Sequence, residues 1–199
     1  MSERLPDKGR LRCELRNRRR ALSEQAQRSA ALAAASHVTR LPGWDGATCI
    51  ALYLASDGEI DTAPLTAICR KAGKQLFLPV IEPDNSLLFR QWQATDPLTP
   101  NRFGIAEPPA GSPLCPPSAL DIIIMPLVAW DRSGARLGMG GGFYDRTLEG
   151  VSRPLKVGLS HALQEVGRLP RDNWDVALDF VVTDTALHCC RGAEENAQS

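Results

Sequence analysis

Leucines recur at helical spacing near the start of the chain, and this pattern predicts helical structure over about residues 8–40. Three of them fall on one face among arginines: Leu11, Leu15 and Leu22. Ser23 is placed to cap a second, alanine-rich helix that runs through Ala35, because a serine side chain accepts a hydrogen bond from the first helical turn. Pro42 and Gly43 end this helical region.

Short apolar runs alternate with helical or turn segments after residue 43, which is typical of α/β proteins. The runs that predict strands are 49–54, 75–81, 87–92, 155–159 and 180–183. A helix is predicted over about 62–72. The proline-rich stretch 107–117 is predicted to be an irregular surface connection, because proline removes backbone donors and restricts φ.

Residues 121–130 (DIIIMPLVAW) form a nearly continuous β-branched and apolar run. Such a run is typical of a strand buried on both faces, and we predict that it is the central strand. Together the elements predict an α/β fold, an open, largely parallel sheet with helices on both faces. We expect a single compact domain over 1–190 and a polar C-terminal tail at 191–199.

The composition is that of an ordinary folded protein, with 43% hydrophobic and 23% charged residues and 23 basic against 23 acidic side chains. This balance excludes a disordered chain and argues against a general nucleic-acid binder. No stretch approaches the roughly 18 apolar residues of a membrane helix, and the first residues contain no apolar signal core. We therefore expect a cytoplasmic monomer without nucleic-acid or membrane partners.

The six cysteines are scattered, without a C-x-x-C pair or zinc-like spacing, and we expect reduced thiols. Cys49 and Cys69 lie in apolar segments and are expected to be small buried side chains. Cys189 and Cys190 lie near the polar tail and are expected to be incidental. Three histidines show no metal spacing and are expected to be structural or on the surface: His37, His161 and His188.

Basic residues concentrate near the N-terminus. They are Lys8, Arg10, Arg12, Arg16, Arg18, Arg19 and Arg20. The cluster is either a solvated helix face or a helix that faces phosphate, since arginine and lysine are the side chains that hold phosphate oxygens.

A glycine-rich segment follows the predicted central strand and precedes a predicted helix. Its glycines are Gly138, Gly140, Gly141 and Gly142. Glycine lets backbone N–H groups approach an anion and a helix N-terminus adds partial positive charge, so the segment indicates a phosphate site. It is not a P-loop, because no Lys-Ser/Thr pair follows, but Arg136 and Arg146 could supply the charge. A merely flexible loop is the alternative.

Several acids are candidates for metal or substrate contacts. Asp145 follows the glycines, where it could bind the magnesium ion of a nucleotide or serve as an ordinary first-turn acid. Asp175 and Asp179 share a face in either a helix or a strand. Glu59 or Asp61 could face a substrate at the end of a strand, although Asp61 could equally cap the next helix.

These segments, in this order, resemble the 5-formyltetrahydrofolate cyclo-ligase family, also called methenyltetrahydrofolate synthetase. The most specific match is 127–148 (LVAWDRSGARLGMGGGFYDRTL), which is similar to the family's buried strand, R-L-G turn, glycine-rich loop and Y-D ending. Supporting matches are 8–12, 59–62, 103–108 and 169–179. Phe143 stands where members commonly have tyrosine, and Met139 or Gly141 stands where some have a basic residue.

The resemblance implies a ligase that uses ATP and Mg²⁺ to convert 5-formyltetrahydrofolate to 5,10-methenyltetrahydrofolate, with release of ADP and phosphate. The formyl oxygen is phosphorylated, N10 attacks the activated carbon, and phosphate leaves. Such chemistry depends on positioning and charge neutralisation rather than on a protein nucleophile. A nucleotide- or folate-binding regulatory module without turnover is the alternative.

The resemblance also assigns residues by position. The implied ATP ligands are Lys8, Arg12, Arg136, Leu137, Gly138, Met139, Gly140, Gly141, Gly142 and Tyr144. The implied folate contacts are Leu54, Glu59, Phe103, Phe143 and Tyr144, with Glu59 at the polar edge of the pterin. Asp145 and Asp175 are the implied magnesium ligands and Asp179 a further candidate, while Arg136 and Asp145 are the implied catalytic pair. The remaining arginines of the first helix inherit no role and are expected to be solvated: Arg16, Arg18, Arg19 and Arg20.

Overall fold

An eight-stranded mixed sheet organises the chain, which is described over residues 7–190 by a computed structural model. The described residues form eight strands in this sheet and four in two smaller ribbons. In chain order the strands are β1 Cys49–Ala51, β2 Gln75–Ile81, β3 Leu87–Gln91, β4 Thr99–Pro100, β5 Ala106–Glu107, β6 Leu114–Cys115, β7 Ile122–Pro126, β8 Ala129–Trp130, β9 Arg136–Leu137, β10 Leu155–Ser160, β11 Phe180–Thr183 and β12 Leu187–Cys189. The predicted tail at 191–199 lies outside the described residues.

The order of strands in this sheet is β12-β11-β10-β7-β1-β2-β3-β6. The five inner strands from β11 to β2 run parallel, whereas β12 at one edge and β3 and β6 at the other run antiparallel to their neighbours. Two-stranded ribbons, β4-β5 and β8-β9, complete the strands. The predicted α/β fold with a largely parallel sheet is confirmed, with β7 at its centre beside β1.

Within residues 7–190, four α-helices accompany the sheet: α1 Lys8–Arg20, α2 Glu24–Val38, α3 Ala63–Lys71 and α4 Phe143–Leu148. The break between α1 and α2 follows local chemistry, because the Ser23 side chain accepts a hydrogen bond of 3.2 Å from Ala26 N, as predicted. Asp7 caps α1 in the same way through Arg10 N, at 2.7 Å. No helix in the described part of the chain is long and apolar enough to cross a membrane.

Helices cover both faces of the sheet, as predicted. Ile122 and Ile124 of β7 pack in one core with the alanine-rich face of α2 and with α3. The intervening Ile123 and Met125 pack on the other face with Leu148 of α4. This alternation follows from the pleat of a strand, whose successive side chains point to opposite faces.

The predicted continuous strand over 121–130 is wrong in one respect. The chain leaves the sheet after Pro126, which has no N–H to continue the ladder, and β8 pairs with β9 in a separate ribbon instead. Val128 and Ala129 are nevertheless buried, because they pack under Leu15 of α1. The apolar run predicted burial correctly, but burial here comes from two different structures.

Two further expectations need correction. The stretch 107–117 is not wholly irregular, because Leu114–Cys115 forms the edge strand β6 against β3. Cys190 is not incidental, since it is buried in the same core as Trp130 and Leu178. The six cysteines are free thiols, as expected, with Cys69 buried and Cys49 half-buried.

Candidate active site

A cleft of about 1030 Å³ opens beyond the carboxyl ends of the parallel strands β1, β2 and β7. This is the edge where open α/β sheets bind ligands. The cleft is lined by α1, by the segments that follow these three strands, by the glycine-rich loop with α4, and by a turn at 172–175. Every residue assigned above to ATP, folate or magnesium lines it, with the single exception of Asp179.

The glycine-rich loop connects β9 to α4, and backbone geometry explains its composition. Gly140 and Gly142 have φ of +104° and +67°, a region that glycine adopts without strain. At Gly141 a Cβ would lie 2.3 Å from Cε2 of the Phe143 ring. Positive φ at two positions and a close approach at a third therefore explain three of the four glycines.

Helix α1 presents two cations to this loop. Lys8 and Arg12 are one helical turn apart and both line the cleft. The Arg12 Nε donates to the carbonyl oxygen of Gly138 at 2.9 Å, and its guanidinium lies beside Gly140. The Lys8 Nζ lies 2.8 Å from Asp172 Oδ2 and 4.0 Å from Asp175 Oδ2. The second interpretation of the basic cluster, a helix that faces phosphate, fits these two residues.

Arg136 and Asp145 form an ion pair inside the cleft, at 2.6 Å between Nη2 and Oδ1. The side chain of Arg136 is only 6% exposed, and its Nη1 donates to the carbonyl oxygen of Val176. The backbone N–H of Val176 donates in turn to Asp145 Oδ1 at 3.0 Å. The pair is thus locked to the chain that follows Asp175, while Asp145 Oδ2 accepts no hydrogen bond from the described residues.

The acids differ in what their carboxylates do. Asp145 and Asp175 line the cleft, whereas Asp179 directly precedes β11 and its Oδ2 accepts from the backbone N–H of Lys156 in β10 at 2.7 Å. Asp179 is therefore a structural residue. No group of three or more His, Cys, Asp or Glu side chains within 7–190 could hold a metal ion by itself. Asp145 and Asp175 fit a magnesium ion shared with a nucleotide, because Mg²⁺ usually takes one or two carboxylates and completes its shell with phosphates and water.

Glu59 also lines the cleft, in the segment that follows β1. Its Oε2 accepts from the backbone N–H of Ser56 at 3.0 Å, and its Oε1 lies 3.6 Å from Arg19 Nη2. Burial raises the pKa of Glu59, and the hydrogen bonds from Ser56 and the charge of Arg19 offset this only in part. Burial also raises the pKa of Tyr144, and the nearby Glu59 charge adds to the effect. The neighbouring Asp61 lies just before α3, whose N-cap is Thr62, and its Oδ1 accepts from the N–H of Ala63 at 2.9 Å.

The expectation that the later arginines of α1 are solvated is wrong for Arg16 and Arg19. Arg19 is fully buried, and its Nε and Nη1 donate to the carbonyl oxygens of Asp57 and Leu127 at 2.8 and 3.0 Å. The Asp57 carboxylate pairs with Arg16, Arg19 and Arg20. Although burial alone raises the pKa of Asp57, hydrogen bonds from these arginines lower it to about 2. The end of α1 therefore holds the turn that carries Glu59.

Aromatic and aliphatic side chains also line the cleft. Phe103 and Phe143 meet edge to face, with ring centroids 6.1 Å apart, and Phe103 is 56% exposed. Leu54 and Tyr144 line the same cleft. An exposed edge-to-face pair provides a surface for a flat, partly apolar ligand.

Asp172 and Trp174 are among the cleft residues that the sequence interpretation did not single out. Asp172 binds Lys8, which lies 164 residues away along the chain. Trp174 is 66% exposed, and an aromatic residue within a polar stretch was the signal available in the sequence. By contrast, His37 and His161 are structural as expected, since their rings contact the carbonyl oxygens of Thr183 and Gly58.

Comparison with known proteins agrees with this geometry. The model of the 5-formyltetrahydrofolate cyclo-ligase family matches residues 4–184. The chain belongs to this family. As a member of the cyclo-ligase family it is a ligase enzyme, and the resemblance stated from its motifs is confirmed.

Curated relatives and solved structures extend over nearly the whole chain. A 5-formyltetrahydrofolate cyclo-ligase of Escherichia coli is 42% identical over 178 residues, which cover 87% of this chain and 98% of the relative. The Haemophilus influenzae cyclo-ligase is 40% identical and covers 84% and 92% of the two chains. The solution structure of Aquifex aeolicus 5,10-methenyltetrahydrofolate synthetase superposes with a TM-score of 0.82 at 35% identity, over 92% and 93% of the two chains.

Proposed function

We propose that this cleft converts 5-formyltetrahydrofolate to 5,10-methenyltetrahydrofolate at the expense of ATP. The observation that carries the proposal is that two chemically different sets of groups line one cleft. Its cations and glycines suit a polyphosphate, and its largely buried carboxylate, Glu59, suits a pterin together with its aromatic rings. The family membership of the chain supports the same reaction.

The reaction needs two bond exchanges. The formyl oxygen attacks the γ-phosphorus of ATP, so that a carbon–oxygen–phosphorus bridge forms as ADP leaves. The folate N10 then bonds to the activated formyl carbon and loses its proton, and the bond from that carbon to the phosphorylated oxygen breaks to release phosphate. The product is the methenyl bridge between N5 and N10.

The residues of the chain bind and orient rather than react. Lys8, Arg12 and Arg136 neutralise charge that spreads over the transferred phosphoryl group, and the N–H groups of the glycine-rich loop add further donors. Glu59 accepts hydrogen bonds from N–H groups of the pterin and thereby turns the formyl group toward the phosphates. No protein nucleophile is required.

A magnesium ion would be held by Asp145 and Asp175, together with phosphate oxygens of the nucleotide. When bound, it neutralises phosphate charge and holds the polyphosphate in one orientation. Asp145 Oδ2 is the oxygen that would bind the ion, because Oδ1 already accepts hydrogen bonds from Arg136 and Val176 N.

The direct test mixes the purified protein with Mg·ATP and 5-formyltetrahydrofolate and follows the near-ultraviolet absorbance of the methenyl product. We expect a rise in absorbance that requires both ATP and the metal. Controls omit each in turn. No rise, from a protein that still binds both ligands by calorimetry, would favour the regulatory module instead.

Replacing Glu59 with glutamine is expected to impair the use of folate selectively. A charge-assisted hydrogen bond is worth about 1.5–3 kcal/mol, so the KM for 5-formyltetrahydrofolate should rise about 10- to 100-fold while the KM for ATP is unchanged. Stability should not fall at pH 7. The pKa of Glu59 is raised in the folded state. Its contribution to the free energy of unfolding is therefore favourable below its ordinary pKa and is lost as the pH rises through the folded-state pKa.

Steady-state kinetics with each substrate varied in turn checks this expectation. Asp61→Asn is the matched control, because Asp61 is an exposed acid of the same turn and does not line the cleft. A defect of Glu59→Gln that is confined to ATP would move Glu59 to the nucleotide side.

A cytoplasmic location, a monomeric state and independence from nucleic acids belong to the same proposal. The neutral charge balance supports independence from nucleic acids. Size-exclusion chromatography with light scattering measures the oligomeric state.

A further inference from the structure

Trp174 differs from the other three tryptophans. Trp44 and Trp130 are buried, and Trp92 packs against the core with Arg70 over its ring. Trp174 is 66% exposed and lines the cleft. A large aromatic ring that remains open at a cleft wall offers a flat surface which a planar ligand can cover.

The turn that carries this ring, residues 172–175, is held in place. Asp175 N donates to the carbonyl oxygen of Asp172 at 3.0 Å, and Asp172 N donates to Asp175 Oδ2 at 2.8 Å. Lys8 fastens the turn to α1 through Asp172. A stacking surface on such a turn is ordered before a ligand arrives, which lowers the entropy lost on binding.

The same turn is joined to the groups that suit phosphate. Directly after it, Val176 contacts both Arg136 and Asp145. Lys8, another cation of the cleft, binds the turn from the opposite side. In a nucleotide only the ribose separates the base from the phosphates, so a ring beside these cations lies within reach of the base. The ring of Phe143 also lies beside the glycine-rich loop, but it packs against the core and edge to face with Phe103, whereas Trp174 is 66% exposed.

We infer that the indole of Trp174 is the surface on which the base of the bound nucleotide stacks, an assignment that rests on the proposed use of ATP. Stacking engages the face of a ring and reads no hydrogen-bonding pattern. Trp174 therefore contributes to the affinity for ATP and GTP equally and does not select between them.

Calorimetry on the full chain without folate tests the inference. The ligands are ATP, GTP and inorganic tripolyphosphate, which has the phosphates without the base. Trp174→Ala is expected to weaken the binding of ATP and of GTP by the same factor, about tenfold. This factor corresponds to the free energy of stacking one base on an aromatic side chain. The affinity for tripolyphosphate should not change. Trp174→Phe should recover most of the affinity for both nucleotides.

A matched control and a spectroscopic signal accompany the titrations. Leu32→Ala removes another exposed apolar side chain, 63% exposed on α2 and outside the cleft, and should leave all three affinities unchanged. ADP should quench the tryptophan fluorescence of the wild type, and Trp174→Phe should abolish most of that quenching.

Three results would overturn the inference. They are an equal loss of tripolyphosphate affinity in Trp174→Ala, unchanged nucleotide affinity in that variant, and a defect seen only in the KM for 5-formyltetrahydrofolate. The last would place the indole against the folate. If the wild type binds no nucleotide at all, the proposed function fails together with the inference, whereas wild-type binding that Trp174→Ala retains in full overturns the inference alone.

Discussion

Replacing Arg136 with alanine is expected to lower kcat/KM for ATP by about 10²–10³, the loss typical when one fixed donor to a developing negative charge is removed. The side chain of Arg136 is 6% exposed and is held by Asp145 and Val176 O, so its guanidinium is already oriented before the nucleotide binds. Its loss therefore removes a cation that needs no reorganisation during the phosphoryl transfer.

Arg136→Ala should lose most of its kcat/KM for ATP but only a small part of its free energy of unfolding. Asp145, the partner left behind, has a side chain that is 26% exposed, so water can solvate its charge. Urea unfolding separates this effect from turnover. Arg132→Ala is the matched control, because Arg132 lies near β9 and pairs with Glu165 on the surface, outside the cleft. An unchanged kcat/KM for ATP in Arg136→Ala would show that the arginine is purely structural.

Replacing Asp145 with asparagine is expected to raise the magnesium concentration for half-maximal activity at least about tenfold, because Mg²⁺ binds carboxylate oxygen far better than a neutral amide. Asparagine is nearly the same size and keeps one oxygen that can accept from Val176 N, so the local fold should persist. The charge that Arg136 faces is also lost, which should lower kcat in addition.

A magnesium titration of the ATP-dependent rate measures this effect, and binding of Mn²⁺ in the presence of ADP gives a readout independent of turnover. Asp96→Asn is a suitable control, since Asp96 is an acid that accepts from Gln93 N away from the cleft. Wild-type magnesium dependence in Asp145→Asn would remove Asp145 from the metal site.

Local patterns were sufficient for much of the fold. Ser23 marked the start of α2, and the apolar runs located the parallel strands, because capping and burial are decided by neighbours in the chain. The break after Pro126 could not be located, since both halves of the run are buried, one in the sheet and one under α1. The edge strands β6 and β12 have only two and three residues, too few for a periodic signal.

The candidate site divides in a similar way. Arg136, the glycines and Asp145 lie within ten residues of one another, so one segment of sequence showed them together. Their meeting with Lys8 and Asp172 depends on the tertiary fold. The burial of Arg19 was also hidden, because its partners are the carbonyl oxygens of Asp57 and Leu127, and backbone acceptors leave no mark in a sequence.

The ion pairs Lys8–Asp172 and Arg136–Asp145 have a consequence for how the nucleotide arrives. Lys8 and Arg136 already have counter-charges from the same chain, so they add little to the field that extends from the cleft into solvent, whereas Arg12, among the described residues, is bonded only to the carbonyl oxygen of Gly138 and keeps its net charge. A polyphosphate approaching from a distance is therefore attracted by Arg12 more than by the two paired cations. Its affinity develops at close range, when phosphate oxygens and a bound cation exchange partners with groups that are already in place.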